Sequence, residues 1–185
     1  FIVEGIGAVL YMLVFVPEFG LRGVWISVFN SISAFCNAGI DVLSENSLMD
    51  YATNPIINVV TSALIILGGI GYIVWWDVMG LSARKRKGFC NLSLHSKIAI
   101  TATAVLLLVG TGLFFWFEYE NPQTIGNMPV WNKLQAAFFQ SMTTRTAGFF
   151  TVPQEKLTNA SSVLSLLLMF IGGSPVGTAG GMKTV

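Results

Sequence analysis

Long apolar runs separated by short polar segments dominate the chain. Residues 1–17, 55–79 and 98–117 each contain at most one charged residue, and the first run ends at Pro17. A helix needs about 20 mostly apolar residues to cross roughly 30 Å of hydrocarbon. We therefore predict membrane-spanning helices over these three runs, the first of them broken at its proline. A fourth run, 160–171, is long enough for only half a span.

The composition indicates that lipid is the solvent. Of 185 residues, 54% are hydrophobic and only 10% are charged, whereas soluble domains carry about 25% charge. The net charge of +1 excludes a general nucleic-acid binder. Two cysteines and one histidine exclude a disulfide scaffold and a Cys/His zinc site. We predict an all-α polytopic membrane protein. Because both chain ends lie at apolar runs, the chain looks like a piece of a longer one.

The charges between the runs predict an orientation. Residues 80–97 contain five basic residues and no acid, whereas residues 41–54 contain Asp41, Glu45 and Asp50 and no base. By the positive-inside rule, 80–97 is cytoplasmic and the acidic segment is outside. The basic segment is either a simple topology anchor or a contact for lipid or a partner.

Two short helices do not fit the spanning pattern. Residues 23–35 and 132–143 follow a predicted span and are apolar except for several Ser, Asn and Gln residues. Each would be about 20 Å long or less, too short to cross. Polar side chains on such helices avoid lipid, so protein should surround them. We predict that both are re-entrant helices, which enter and leave the membrane on the outer side.

The chain contains an internal repeat. Ala38-Gly39 and Ala147-Gly148, each after a short helix, lie 109 residues apart, and Gly68-Gly69 and Gly172-Gly173 lie 104 apart. Repeated units of this kind indicate repeated architecture. The predicted unit is a span, a re-entrant helix, a Gly-containing loop and a second span. It occupies residues 1–79 and again 98–185, joined by the basic segment 80–97.

The loops after the re-entrant helices suggest cation chemistry. A helix that ends inside the membrane points its partially negative C-terminus there, and an irregular loop leaves its carbonyls free to replace the water around a cation. Gly39 and Gly148 allow the positive φ angles that such loops need. The acidic residues of 41–54 would concentrate cations at the mouth. The alternative is an ordinary helix C-cap followed by a turn, which two copies in the same position make less attractive.

The last apolar run ends in a glycine-rich stretch. The Gly-rich loop, defined as residues 172–181, contains Pro175 and several glycines, which destabilise a helix interior. We predict that the helix breaks here, at membrane depth. A GxxxG packing face is disfavoured because the proline interrupts it, and a phosphate-binding loop is excluded because Met182 precedes Lys183.

Three segments of the chain carry specific motifs: SAFCNAG at 33–39, TTRTAGF at 143–149 and GGSPVGTAGGMKT at 172–184. Together, and in this order, they resemble the superfamily of K⁺ transporters that includes Trk, Ktr and plant HKT proteins. The resemblance covers essentially the whole chain and is closest to the Ktr membrane subunit. It implies four membrane–pore–membrane repeats around one pore, of which this chain carries the second and most of the third.

The resemblance also implies site residues. K⁺ would bind backbone carbonyls of the first loop, residues 37–40, and the second loop, residues 146–149. These ion-filter residues are Asn37, Ala38, Gly39 and Ile40, and Thr146, Ala147, Gly148 and Phe149. The implied gate is the Gly-rich loop, made of Gly172, Gly173, Ser174, Pro175, Val176, Gly177, Thr178, Ala179, Gly180 and Gly181.

Further expectations rest on the resemblance alone. They are a homodimer in the cell membrane, a cytoplasmic ring of nucleotide-binding regulatory subunits, Na⁺ as a possible second ion, and no other cofactor. Arg145 is expected to support the filter, through an ion pair or a helix-end cap, or else to tune the ion's electrostatics. Lys183 either repels cations or is a paired or snorkelling lysine. The role of Glu4 stays open.

Two other functions compete with K⁺ uptake. A secondary transporter would bind a small solute at the broken last helix, but the two filter-like loops favour an ion pathway. A membrane-embedded enzyme is disfavoured, because the sequence contains one histidine and no pair of acids at membrane depth.

Overall fold

A computed structural model describes residues 1–43, 47–83 and 91–184. These residues form seven α-helices and no strand, apart from one isolated parallel bridge between Ile171 and Met182. The helices are α1 (Ile2–Phe19), α2 (Leu21–Phe35), α3 (Pro55–Gly69), α4 (Tyr72–Ala83), α5 (Leu94–Glu118), α6 (Val130–Thr143) and α7 (Asn159–Phe170). Short 3₁₀ turns at Met49–Tyr51 and Gln154–Lys156 lie in the connections before α3 and α7.

The helices form two similar groups. In the first, α1 packs against α2 and both contact α3; in the second, α5 packs against α6 and α7. The helices α3 and α6 join the groups. Within the described residues, α1 and α5 are each long and apolar enough to cross a membrane, and α3 with α4 pass the same test as a bent pair. The predicted short helices correspond to α2 and α6.

Glycine–serine contacts repeat between the two groups. A Cβ atom on Gly7 would lie 2.6 Å from Ser31 Oγ, and one on Gly110 would lie 2.3 Å from Ser141 Oγ. Each serine hydroxyl donates to the carbonyl three residues before the facing glycine, at 2.6 and 3.1 Å. A bare glycine therefore lets each long helix approach its short helix closely, and the serine satisfies its hydroxyl on a helix carbonyl.

One buried apolar cluster connects the two groups. Phe15 and Ile57 of the first group are fully buried together with Phe139 and Met142 of α6. Ala147 and Phe149 of the second loop belong to the same cluster. The outward faces expose large apolar side chains, among them Val9, Leu13, Leu108 and Leu166. Packing thus buries one side of each short helix and two residues of the second loop in protein, and leaves apolar surface for lipid.

Helix α1 does not break at Pro17, so that prediction is wrong. The helix continues to Phe19, and the amide of Gly20 still bonds the carbonyl of Val16 at 2.9 Å. Proline removes one hydrogen bond and is compatible with the helical φ angle, so it need not end a helix. The chain turns only at Gly20, where φ is 59°.

The predicted span 55–79 is also wrong as a single helix. It is divided between α3 and α4, which meet at 91°. Gly71 lies at the break with a φ of 90°, a conformation that side chains disfavour. The Gly68-Gly69 pair precedes the break between α3 and α4. Its counterpart in the repeat is Gly172-Gly173, where a break of the last apolar helix was predicted. Both glycine pairs therefore end a helix.

Candidate functional site

The two loops share one pattern of φ signs. In the first loop, Asn37 and Gly39 have φ values of 51° and 67°; in the second, Thr146 and Gly148 have φ values of 69° and 89°. The alanine between each pair has a negative φ. A simple helix C-cap requires only one left-handed residue, so both loops are more elaborate than a cap.

Several carbonyls in these loops are free. Across the described residues, no hydrogen bond reaches the carbonyl oxygens of 37–39 or of 146–148. The loop amides are partly used, since Ala38 N donates to Ser33 O at 2.9 Å and Ala147 N donates to Thr143 O at 3.0 Å. The available chemistry is therefore that of an oxygen-only cation ligand.

Hydroxyl groups at the ends of the short helices hold the last carbonyl of each loop. Ser33 Oγ donates to Ile40 O and accepts from Ile40 N at 3.1 Å. Thr143 Oγ1 donates to Phe149 O in the same way. This role of Ser33 and Thr143 was not predicted from the sequence. The available signal was a hydroxyl residue six or seven positions before the end of each loop.

The two loops pack directly against each other. A Cβ atom on Gly39 would lie 2.5 Å from Ala147 O and 2.6 Å from the Cα atom of Gly148. A Cβ atom on Gly148 would lie 2.9 Å from the Cα atom of Gly39. Only glycine fits at either position, so two loops 109 residues apart in the sequence meet in one place.

The Gly-rich loop folds back on the end of α7. Helix α7 ends at Phe170, as predicted, and Met182 N donates to Phe170 O while Gly172 N donates to Met182 O, both at 3.0 Å. Gly173 N also donates to Gly180 O at 3.3 Å. A Cβ atom on Gly172 would lie 1.7 Å from Gly180 O. Backbone hydrogen bonds thus join the two ends of the Gly-rich loop.

The Gly-rich loop also bonds the end of α3. Thr178 N donates to Gly68 O at 3.2 Å, and Ser174 N donates to Gly69 O at 3.1 Å. Tyr72 N, at the start of α4, donates to Val176 O at 3.4 Å. The last carbonyls of a helix lack intrahelical partners. Here two amides of the Gly-rich loop are the hydrogen-bond donors to the last two carbonyls of α3. These bonds explain why α3 ends at this point.

Side chains from both loops contact the Gly-rich loop. Asn37 Nδ2 donates to Thr178 Oγ1 at 2.7 Å, and Thr146 Oγ1 accepts from Gly180 N at 2.8 Å. Arg145, which is 8% exposed, donates through Nη2 to Gly172 O at 3.2 Å. All three sets of predicted site residues therefore meet. In the described part of the chain, Arg145 has no acidic partner, so its contact is with the Gly-rich loop.

Of the other charged residues named from the sequence, Lys183 lies next to the Gly-rich loop and the rest lie elsewhere. Lys183 Nζ donates to Ala179 O within its own segment. Glu4 is half-buried, and its backbone carbonyl accepts from Ser31 Oγ at 2.6 Å. Asp41 is half-buried and Asp50 is exposed, whereas Glu45 and the basic residues 84–87 lie outside the described residues.

Comparisons with known proteins decide the family. The TrkH cation transport protein family matches residues 2–185. The chain belongs to the TrkH family. It is 41% identical over 184 residues to the potassium/sodium uptake protein NtpJ of Enterococcus hirae, and 40% identical over 182 residues to the Ktr system potassium uptake protein B of Bacillus subtilis. These matches cover 99% and 98% of this chain.

The fold agrees with that of a solved TrkH-family structure. The chain matches the potassium transporter TrkH of Vibrio parahaemolyticus with a TM-score of 0.78 over 98% of its length, at 20% sequence identity. It covers 36% of that structure, and 39% and 40% of the two relatives. The all-helical TrkH-like fold and the membrane transport family predicted from the sequence are thus confirmed. The chain spans about two fifths of its relatives' length.

Proposed function

We propose that this chain supplies part of the ion pathway of a potassium uptake protein. The observation that carries the proposal is the contact between two loops with the same alternation of positive and negative φ, whose carbonyls at 37–39 and 146–148 have no hydrogen-bond donor among the described residues. The names of the relatives, potassium uptake proteins among them, support K⁺ as the cargo.

In this proposal, K⁺ exchanges its water for backbone oxygens of residues 37–40 and 146–149. The C-termini of α2 and α6 add a partial negative charge at the same place. Ser33 and Thr143 hold the carbonyls of Ile40 and Phe149, so these oxygens need no reorganisation when an ion arrives. Two loops form half of a ring, and further repeats of the whole protein would complete it. Residues 1–79 and 98–185 would be the second and third of four.

The Gly-rich loop would be the gate. It forms hydrogen bonds with residues of both filter loops. Backbone hydrogen bonds hold it against itself and against the end of α3, and such bonds can break and re-form when the loop moves. Arg145 would support the filter indirectly, by holding the carbonyl of Gly172 at the start of the gate. Lys183, bonded to Ala179 O, would stabilise the other end of the same loop.

The remaining proposals concern the whole protein. It would be a multi-pass protein of the cell membrane, with segment 80–97 in the cytoplasm and both filter loops facing outside. It would form a homodimer and bind a cytoplasmic ring of nucleotide-binding regulatory subunits, with Na⁺ as a possible second ion. These proposals rest on the resemblance and on the charge pattern of the loops.

The test is rubidium and sodium tracer uptake by vesicles that contain the intact parent protein. We expect saturable rubidium uptake that Gly39→Ser and Gly148→Ser each reduce or make less selective, because a side chain cannot fit at either position. Gly112→Ser is the matched control, because a Cβ atom at Gly112 of α5 meets nothing within 4 Å.

Wild-type vesicles that take up no cation would refute the proposal and favour a solute transporter. So would loop variants that behave like Gly112→Ser.

A further inference from the structure

The first residue of each proposed filter loop bonds the proposed gate through its side chain. Asn37 donates to the hydroxyl of Thr178, and Thr146 accepts from the amide of Gly180. Thr178 also donates to Phe35 O, at the end of α2, at 2.9 Å. Both filter loops therefore contact the same three-residue stretch of the gate, although 141 and 34 residues separate the bonded partners.

The same two residues have strained backbone conformations. Asn37 and Thr146 both have positive φ values, which asparagine tolerates but which are unusual for a β-branched residue. Strain of this kind persists where the surroundings hold it. One part of those surroundings is the bond that each side chain makes to the gate. Hydrogen bonds to the gate thus stabilise the backbone conformation of Asn37 and Thr146, which orients the filter carbonyls.

We propose that Asn37 and Thr146 are positioning residues that couple the gate to the filter, so that movement of the Gly-rich loop and the ion selectivity of the filter change together. This inference rests on the proposed function. With the gate in place, the two hydrogen bonds stabilise the closed arrangement and the left-handed residues. When the gate moves, both bonds break, and the filter carbonyls lose part of their support.

Thr146→Val is the sharpest variant, because valine keeps the shape and the β-branching but removes the acceptor for Gly180 N. We expect rubidium uptake without any activating ligand to rise roughly threefold to tenfold, the effect of one lost hydrogen bond on a closed–open equilibrium. The ratio of rubidium to sodium uptake should fall at the same time. Thr146→Ser keeps the hydroxyl and should restore both quantities to wild-type values.

The Asn37–Thr178 bond provides an independent test. Asn37→Gly removes the amide but allows the positive φ. Thr178→Val removes the acceptor with little change in shape, and it also removes the donor to Phe35 O. We expect each variant to raise resting uptake, and the double variant to raise it no further than the larger single effect. Residues that share one interaction show such non-additivity. Uptake is expressed per amount of protein that is inserted in the vesicles.

Several outcomes would overturn the coupling. They are Thr146→Val with wild-type uptake and selectivity, Thr146→Ser that behaves like Thr146→Val, and additive effects of Asn37→Gly and Thr178→Val. If Thr146→Val fails to insert in the membrane, the Asn37→Gly and Thr178→Val variants and their combination alone test the coupling. Failure of the proposed function is a different result, since the wild-type protein would then take up no rubidium at all.

Discussion

Gly39 and Gly148 touch through their backbones, and the contact is not symmetric. A Cβ atom on Gly39 would meet three backbone atoms of the second loop within 2.9 Å, whereas one on Gly148 would meet a single atom at 2.9 Å and the next only at 3.7 Å. Backbone atoms cannot rotate away as a side chain can. Gly39 is therefore the more tightly enclosed of the two glycines.

We accordingly expect Gly39→Ala to reduce rubidium uptake more than Gly148→Ala does. Both variants force a side chain into a positive φ, which costs on the order of 1 kcal/mol, and only Gly39→Ala adds a clash with Ala147 O at 2.5 Å. The measurement is the initial uptake rate in vesicles with equal protein content. Equal losses, or a larger loss for Gly148→Ala, would contradict the asymmetry.

Neighbouring glycines at the end of α3 should respond differently to alanine. A Cβ atom on Gly68 would lie 1.9 Å from Phe35 O, whereas the nearest atom to one on Gly69 is at 3.7 Å. Gly68→Ala must push α3 away from the end of α2, and we expect a loss of about 2 kcal/mol or more. Gly69→Ala should stay within about 0.5 kcal/mol of wild type.

Thermal unfolding of the intact protein in detergent measures both variants. Two variants of similar stability would mean that α2 and α3 do not approach as closely as the structure shows.

The Gly110–Ser141 contact predicts a compensating pair. Gly110→Ala places a Cβ atom 2.3 Å from Ser141 Oγ, and overpacking of this kind costs about 1–3 kcal/mol. Ser141→Ala alone loses the hydrogen bond to Leu107 O, worth about 1 kcal/mol. In the double variant the clashing oxygen is gone, so the combined loss should be smaller than the sum of the two.

The control for this pair is Gly112→Ala, which lies two residues along α5 and faces open space. It should be neutral. Strict additivity of Gly110→Ala and Ser141→Ala would argue against direct contact.

Glu118, at the end of α5, holds the start of α7. Its Oε1 accepts from both the amide and the hydroxyl of Thr158, at 2.8 Å each. Its Oε2 accepts from Asn121 Nδ2 at 2.7 Å and from Thr124 Oγ1 at 2.6 Å. The side chain is buried. An acceptor is required at both oxygens, because Thr158 N on one and Asn121 Nδ2 on the other can only donate.

Glu118→Gln should therefore destabilise the protein by about 2 kcal/mol, since the amide turns one acceptor into a donor that faces donors. Glu120→Gln is the matched control, because Glu120 is exposed, and it should change little. Thermal unfolding of the intact protein compares the two. An equal effect of both substitutions would show that the buried network does not depend on the carboxylate.

The helices were largely predictable because hydropathy depends on local sequence. The run 98–117 lies inside α5, and 132–143 lies inside α6. Breaks were harder to predict. Pro17 looked like an end but is accommodated in α1, whereas the break at Gly71 lay inside a continuous apolar run. A proline affects one helical hydrogen bond, but the end of α3 depends on partners from residues 174–178.

Part of the candidate site could also be predicted from the sequence. Gly39 and Gly148 were identified because a repeated glycine after a short helix has a backbone reason. Ser33 and Thr143 were not assigned to their carbonyls, since a hydroxyl at a helix end has several local uses. The contacts of Asn37 with Thr178 and of Arg145 with Gly172 join distant segments, and no local pattern encodes such partners.

The sequence by itself determined that lipid surrounds the helices, that the chain contains two similar units with two similar loops, and where α7 ends. Apolar runs, glycine and proline determine these features because they act through the chain's own backbone. Tertiary structure decided that the loops meet at Gly39 and Gly148, that α3 ends against the Gly-rich loop, and that Asn37 and Thr146 bond that loop. These features depend on hydrogen bonds and close contacts between residues far apart in sequence. Their partners exist only once α2, α3, α6 and α7 have packed together.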